Sequence, residues 1–247
     1  MLISNASNYG FAGGNNTAIK YATQRANGGY IWLLNNDARV DEDTFPALVR
    51  RLDREEKLGF VGSVLRYYET PNIIQCFGGG VIHAAIGKRK LYGKGRSIAE
   101  VGDLHETEVD YLMGASLMVR PELIRDIGVM EDAYFMYSEE LDWQLRAKEK
   151  GWKIGVARDS YVFHKGAAST KGRSHMYHYY LNRASVMFST RFFGRTSLAT
   201  VVPSLLAIIA LQNWRTPRNV LFGWKGVFEG AAFKWEQNHP FRLRKKE

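Results

Sequence analysis

Apolar positions in the first 165 residues switch between helical and strand-like periods, and each switch marks an element. Ala18, Ile19, Ala22 and Ala26 recur at helical spacing within residues 15–27, and Gly28-Gly29 would stop that helix. Residues 30–34 (YIWLL) are a continuous apolar run ending in Asn35, Asn36 and Asp37. Such a run predicts a strand buried on both faces, as in a parallel sheet. Asp41, Glu42 and Asp43 open a helix that would reach about residue 58, with Phe45, Leu48, Val49 and Leu52 on one face. Strands are predicted over 59–68, 109–120 and 152–164, and short helices over 121–127, from Pro121, and 138–150, capped by Gly151. Residues 69–107 are rich in Gly, Lys and Arg, weakly periodic, and read as a long excursion or hairpin. Helix and strand alternating at this spacing predict an α/β fold with a parallel or mixed sheet.

The pattern changes near residue 171. Tyr177, Tyr179, Tyr180, Phe188, Phe192 and Phe193 lie among arginines, and residues 196–214 then carry no charge for 19 positions. Ser197, Thr200, Pro203, Ser204, Gln212 and Asn213 interrupt that stretch, so it predicts an interfacial or core-packed helix rather than a membrane span. Charge follows the same division. The chain of 247 residues has a net charge of +9, but residues 171–247 hold 13 Lys+Arg against 3 Asp+Glu. The expected organisation is a core over 1–170 and a basic, aromatic, helical extension over 171–247. Such an extension points to an anionic partner. Membrane surface is favoured over nucleic acid, because the segment is apolar between its charges and carries no recognition motif. With one cysteine, Cys76, there is no intramolecular disulfide, which is compatible with a reducing compartment. The first residues lack the basic and apolar regions of a secretory signal.

Four segments carry candidate chemistry. Residues 9–16 (YGFAGGNN) precede the first helix, where glycines allow close backbone approach and a helix N-terminus favours an anion; a plain loop with an Asn cap fits equally. Asn35-Asn36-Asp37 at a strand end suits a divalent metal on a phosphorylated ligand, or a simple turn. Glu139, Glu140 and Asp142 crowd the first turn of a helix behind Ser138, its expected N-cap. They suit either dipole compensation or a general base. Glu139 and Glu140 project about 100° apart, so one of them is expected to face a site, and Asp142, at i+3, could raise the pKa of Glu139. His164 closes the last strand as a metal or phosphate candidate.

Taken in order, residues 10–16 (GFAGGNN), 33–37 (LLNND), 111–120 (YLMGASLMVR), 134–146 (YFMYSEELDWQLR) and 164–170 (HKGAAST) resemble the family 2 glycosyltransferases of the rhamnosyltransferase-like branch, over about residues 4–195. The resemblance implies a GT-A fold with a mixed, mainly parallel sheet. It also implies inverting transfer of a sugar, rhamnose among the candidates, from a nucleotide-sugar to a hydroxyl of a lipid-linked or polysaccharide acceptor. The cofactor would be Mg or Mn, and the location cytoplasmic, peripheral on the inner face of the cell membrane. Asp37 matches the last Asp of the DxD-type metal motif, with Asn35 at its usual first acidic position. His164 matches a His that completes the metal site. Gly13, Gly14 and Asn15 match the donor loop that Asn35 and Asn36 also border, and Gly114 and Ala115 the strand end lining the pocket. Glu139-Glu140 match the Glu-Asp pair whose second member is the base, one methylene longer here. The family's first βαβ unit, about 40–60 residues, has no counterpart before the glycine segment. The sequence therefore reads as a fragment expected to bind donor poorly, or else as a degenerate, non-catalytic relative that binds a membrane or partner enzyme.

Overall fold

A computed structural model describes residues 2–25, 29–165 and 174–236. Ala26, the Gly28 stop and residues 166–170 of the last motif lie outside the described residues. The first helix, α1 (Gly10–Arg25), starts earlier than its apolar spacing predicts, because the Asn8 side chain accepts from the Gly10 amide at 2.9 Å. Gly13, Gly14 and Asn15 are therefore helical residues and not a loop before the helix.

Strands β1 (Ile31–Leu34), β8 (Ser116–Val119), β3 (Leu58–Tyr67), β9 (Lys153–His164) and β2 (Ala38–Val40) form the main sheet in that order, with β4 (Ile74–Phe77) beside β3. The sheet is mixed, but only β3 and β9 pair in parallel; the other pairings, including β1 with β8, are antiparallel. The run 30–34 is not buried as predicted: β1 is an edge strand in which Leu33 is buried and Leu34 exposed, although both faces pack against the protein. Ile31 and Leu33 join the main core, while Tyr30 and Trp32 join the cluster under α2 (Thr44–Asp53). An apolar run is the same whichever way its neighbour points.

β3 is the central strand, buried over its first eight residues. Phe60 and Val64 meet α3 (Pro121–Ile127) and α4 (Glu139–Glu149) through Leu123 and Trp143, with the Phe60 and Trp143 rings edge-on at 4.9 Å. On the opposite face Leu58 and Val61 meet Leu48 and Leu52 of α2. Helices thus flank both faces, as an α/β sheet requires.

Residues 69–107 are largely structured. β4, β5 (Gly79–His83) and β6 (Lys88–Leu91) come from this stretch, and β6-β5-β7 form a second sheet with β7 (Tyr111–Leu112). The single strand predicted over 109–120 is two, because Met113-Gly114-Ala115 cross from the second sheet to the first. The C-terminal helices α5 (His175–Phe193), α6 (Leu198–Asn213) and α7 (Pro217–Ala232) have their own core of Val186, Val201, Leu205, Ile209 and Val227. Through Ala184, Met187, Phe188 and Phe192, α5 also shares a core with Ile82, Tyr134, Leu141 and Leu145.

Candidate active site

The two halves of the site are built differently. One half is a strand end. The chain turns between β1 and β2, with the Asn35 amide donating to Ala115 O at 3.0 Å and Ala38 N to Asn35 O at 3.2 Å. β2 pairs with β9 so that Ala38 opposes His164, which brings Asp37 beside that histidine. Asp37 Oδ1 and His164 Nε2 are 3.2 Å apart. His164 Nδ1 donates to Gln75 Oε1 at 2.8 Å, which leaves the Nε2 lone pair facing Asp37, with Asn35 Nδ2 at 3.3 Å. Burial lowers the His164 pKa and outweighs the opposing pull of Asp37. A neutral imidazole oriented by a second partner is the form that binds a metal.

Tested against a divalent ion, these residues fit a two-ligand site. Adjacent ligands on an octahedral ion with bonds of about 2.1 Å lie about 3 Å apart, close to the observed separation. No cluster of three or more His, Cys, Asp or Glu exists among the described residues. Phosphate and water oxygens would therefore complete the shell, as is usual for Mg²⁺.

The other half is a strained loop leading into α4. Phe135, Tyr137 and Ser138 all have positive φ (64°, 68° and 76°) without being glycine. Each such residue costs about 1–3 kcal/mol, and such strain clusters at functional sites. α1 holds this loop: Phe11 N donates to Phe135 O at 2.8 Å, and a Cβ on Gly10 (φ 72°) would fall 2.0 Å from that oxygen. α5 covers the loop, with Tyr180 stacked on Phe135 and Tyr177 edge-on to Tyr137. Ser138 precedes the first turn, but its hydroxyl makes no capping bond.

Asp37, His164, Asn35 and Asn36 share a cavity of about 620 Å³ with Gly114, Ala115, Glu139 and Glu140. Both glutamates line it, where one was expected to. Each has an Oε2 that is buried without a hydrogen-bond partner. A side chain on Gly114 would fill the space before them, its Cβ 3.9 Å from that of Glu140 and 3.0 Å from the Phe11 ring. Burial raises both carboxyl pKa values. Glu139 goes well above its ordinary value, pushed further by Glu140, while the Arg89 guanidinium on β6 opposes the rise at Glu140. Burial thus favours the protonated form of both carboxyls.

The charge acting on Glu139 is that of Glu140 and not, as the i,i+3 spacing suggested, that of Asp142. Asp142 is 0% exposed and outside the cavity lining. It pairs with Arg146 Nε at 2.7 Å and Arg191 Nε at 3.0 Å, and accepts from the Tyr134 hydroxyl at 3.1 Å. The glycine segment is also apart. Gly13 borders a separate recess of about 490 Å³ with Asn16, Lys20 and Asp132; Gly14 faces open space; the Asn15 amide donates to Phe11 O at 2.8 Å. Of that segment Phe11 reaches the main cavity. Sequence reasoning missed Phe11, Gln75, Arg89, Met113, Tyr137 and Tyr177. Gln75 alone carried a signal, as a polar residue within the apolar run 73–77.

The Glu139 shift has a consequence for stability. A carboxyl whose folded pKa is raised stabilises the fold below its unfolded pKa and loses that contribution as pH rises through the folded value. Each pH unit over which only the folded state holds the proton is worth about 1.4 kcal/mol. Glu139→Gln is therefore expected to raise the melting temperature at pH 8 and leave it nearly unchanged at pH 4, as read by calorimetry.

The fold is that of the GT-A glycosyltransferases: the solved structure of GalNAc-T7 with UDP, GalNAc and Mn²⁺ superposes with a TM-score of 0.52 at 14% identity, over 77% of this chain and 36% of that one. The model of the glycosyl transferase family 2 matches residues 2–76 of this chain. The low-salt glycan biosynthesis hexosyltransferase Agl10 of Haloferax volcanii is 24% identical over 221 residues, 87% of this chain and 68% of that protein. The N-acetylglucosaminyl-diphospho-decaprenol L-rhamnosyltransferase of Mycobacterium tuberculosis is 24% identical over 152 residues. The match takes in 57% of this chain and about half, 48%, of that relative's length.

Proposed function

We propose that this chain transfers a sugar, with inversion, from a nucleoside-diphosphate sugar to a hydroxyl of a lipid-linked or polysaccharide acceptor. The observation that carries the reading is the single cavity joining the Asp37–His164 pair to the Glu139–Glu140 pair. The names of the haloarchaeal and mycobacterial relatives support a hexose or rhamnose as the sugar and a diphospho-lipid as the acceptor.

Asp37 and His164 would hold Mg²⁺ or Mn²⁺, which when bound supplies positive charge against the leaving diphosphate. Gln75 fixes the His164 ring, and Asn35 and Asn36 border the donor. Glu140 takes the proton of the acceptor hydroxyl as its oxygen bonds the anomeric carbon. The bond from that carbon to the donor phosphate breaks with its electron pair leaving on the nucleoside diphosphate. Inversion needs one base and no enzyme nucleophile. Burial and the neighbouring Glu140 disfavour a second negative charge on Glu139 beside the base. A cytoplasmic location suits the buried, unpaired Cys76.

Calorimetric titration of donor with and without Mn²⁺ tests the metal assignment. It is run on the 247-residue chain. Metal-dependent donor binding should vanish in Asp37→Asn and weaken about 10–100-fold in Gln75→Leu. Donor binding that ignores both substitutions would remove the assignment.

A further inference from the structure

The outer face of the C-terminal helices is not used by the transfer site. α6 buries Val201, Leu205 and Ile209, one residue per turn. The opposite row, Ala199, Pro203, Ala207 and Leu211, is exposed and carries no polar side chain. A surface helix in water carries polar residues on that face. α7 repeats the arrangement. Gly223, Gly226 and Gly230 press it against α5 and α6, so that a Cβ on Gly226 would lie 2.2 Å from Tyr179 O. Leu221 and Phe228 point away at 64% and 56% exposure, and Trp224 lies over α6, donating from Nε1 to Leu206 O at 3.1 Å. Where the two helices meet, Leu211 and Trp214 are 77% and 68% exposed. Arg215 lies over the Trp214 ring at 4.6 Å and Arg218 by the Phe222 ring at 5.9 Å.

We propose that the α6–α7 hairpin docks this chain on an anionic lipid surface, lying in the plane of the headgroups. Leu211, Trp214, Leu221 and Phe228 enter the acyl boundary, and Arg215 and Arg218 meet lipid phosphates. Charge complementarity selects this occupant. The segment from residue 171 carries 13 Lys+Arg against 3 Asp+Glu, and aromatic side chains beside arginines suit the headgroup layer. A two-fold contact with a second copy would set Arg215 and Arg218 against their own equivalents. By length and composition Arg195–Asn213 could cross a membrane, but its Val201–Leu205–Ile209 row packs in the protein core, which favours the in-plane orientation. The inference rests on these helices and stands whether or not the transfer chemistry is right. α5 links the two regions, since Tyr177 borders the transfer cavity while its later turns pack on α6 and α7.

Flotation of the 247-residue chain, without sugar donor, tests it. Vesicles of phosphatidylglycerol mixed with phosphatidylcholine should carry the protein, and pure phosphatidylcholine should carry little. Leu211→Glu with Leu221→Glu should weaken binding about tenfold or more per residue, with the circular dichroism melt unchanged. Arg215→Glu with Arg218→Glu should remove most of the salt dependence and serves if the first pair misfolds. Wild-type protein that stays unbound, or a leucine pair that floats like wild type, would overturn the proposal. So would a lipid-free dimer dissolved by the leucine pair, or tighter binding to duplex DNA than to the anionic vesicles.

Discussion

Glu140→Gln should remove transfer while sparing the donor: kcat falls about 10²–10⁴-fold, the range general-base removal produces, and donor affinity stays within error. Three observations fit Glu140 to this role. It lines the same cavity as Asp37 and His164, its Oε2 is buried without a partner, and Gly114 leaves the space before it open. Burial raises its pKa, which strengthens it as a base, and the Arg89 guanidinium opposes the rise. Glu139→Gln leaves the Glu140 carboxyl in place and should cost far less in kcat. The pH profile separates the two. The acid limb of kcat should reflect Glu140, lie above the ordinary carboxylate range, and persist in Glu139→Gln. Full turnover in Glu140→Gln would move the base to Glu139.

Asp142→Asn should damage stability more than chemistry, lowering unfolding free energy by about 3–5 kcal/mol in denaturant titrations. The Asp142 carboxylate is the buried counter-charge of Arg146 and Arg191. Arg146 in turn donates to Ile127 O and Val129 O at 2.7 and 2.8 Å, and Arg191 to Glu131 Oε2 at 2.9 Å. Removing the anion leaves the Arg146 guanidinium without a carboxylate and Arg191 with Glu131 alone, and the loop that delivers Glu139 and Glu140 loses its anchor. Trp235 packs on the same group, 4.2 Å from the Arg191 guanidinium and 5.3 Å from the Tyr134 ring. A variant that melts like wild type would show that the network carries little energy.

The class of fold was legible because its strongest signals are local. The apolar run at 59–68 and the terminal strand ending in His164 depend on burial, which sequence pattern reports well. Strand direction did not show, because a run such as 30–34 looks the same beside a parallel or an antiparallel neighbour. Residues 69–107 looked loose because their glycines suggested turns. Gly79 is in fact a close strand contact, where a Cβ would fall 1.7 Å from Tyr111 O. For the site, ordered motifs named Asp37, His164, Glu139 and Glu140, and the fold brings these four around one cavity. The motif could not separate Asp142 from its neighbours, since its ion-pair partner Arg191 is 49 positions away. Nor could it show that Gly13, Gly14 and Asn15 lie inside a helix, since Asn8, outside the apolar pattern, starts that helix.

The most direct test of the transfer site is metal-dependent release of nucleoside diphosphate from a panel of nucleotide-sugars, with a diphospho-lipid acceptor present. Wild-type protein should release diphosphate only with Mg²⁺ or Mn²⁺ and give a product of inverted anomeric configuration by NMR, and Asp37→Asn and Glu140→Gln should each stop it. Release that survives both substitutions, or a product of retained configuration, would contradict the assignment of this cavity as an inverting glycosyl-transfer site.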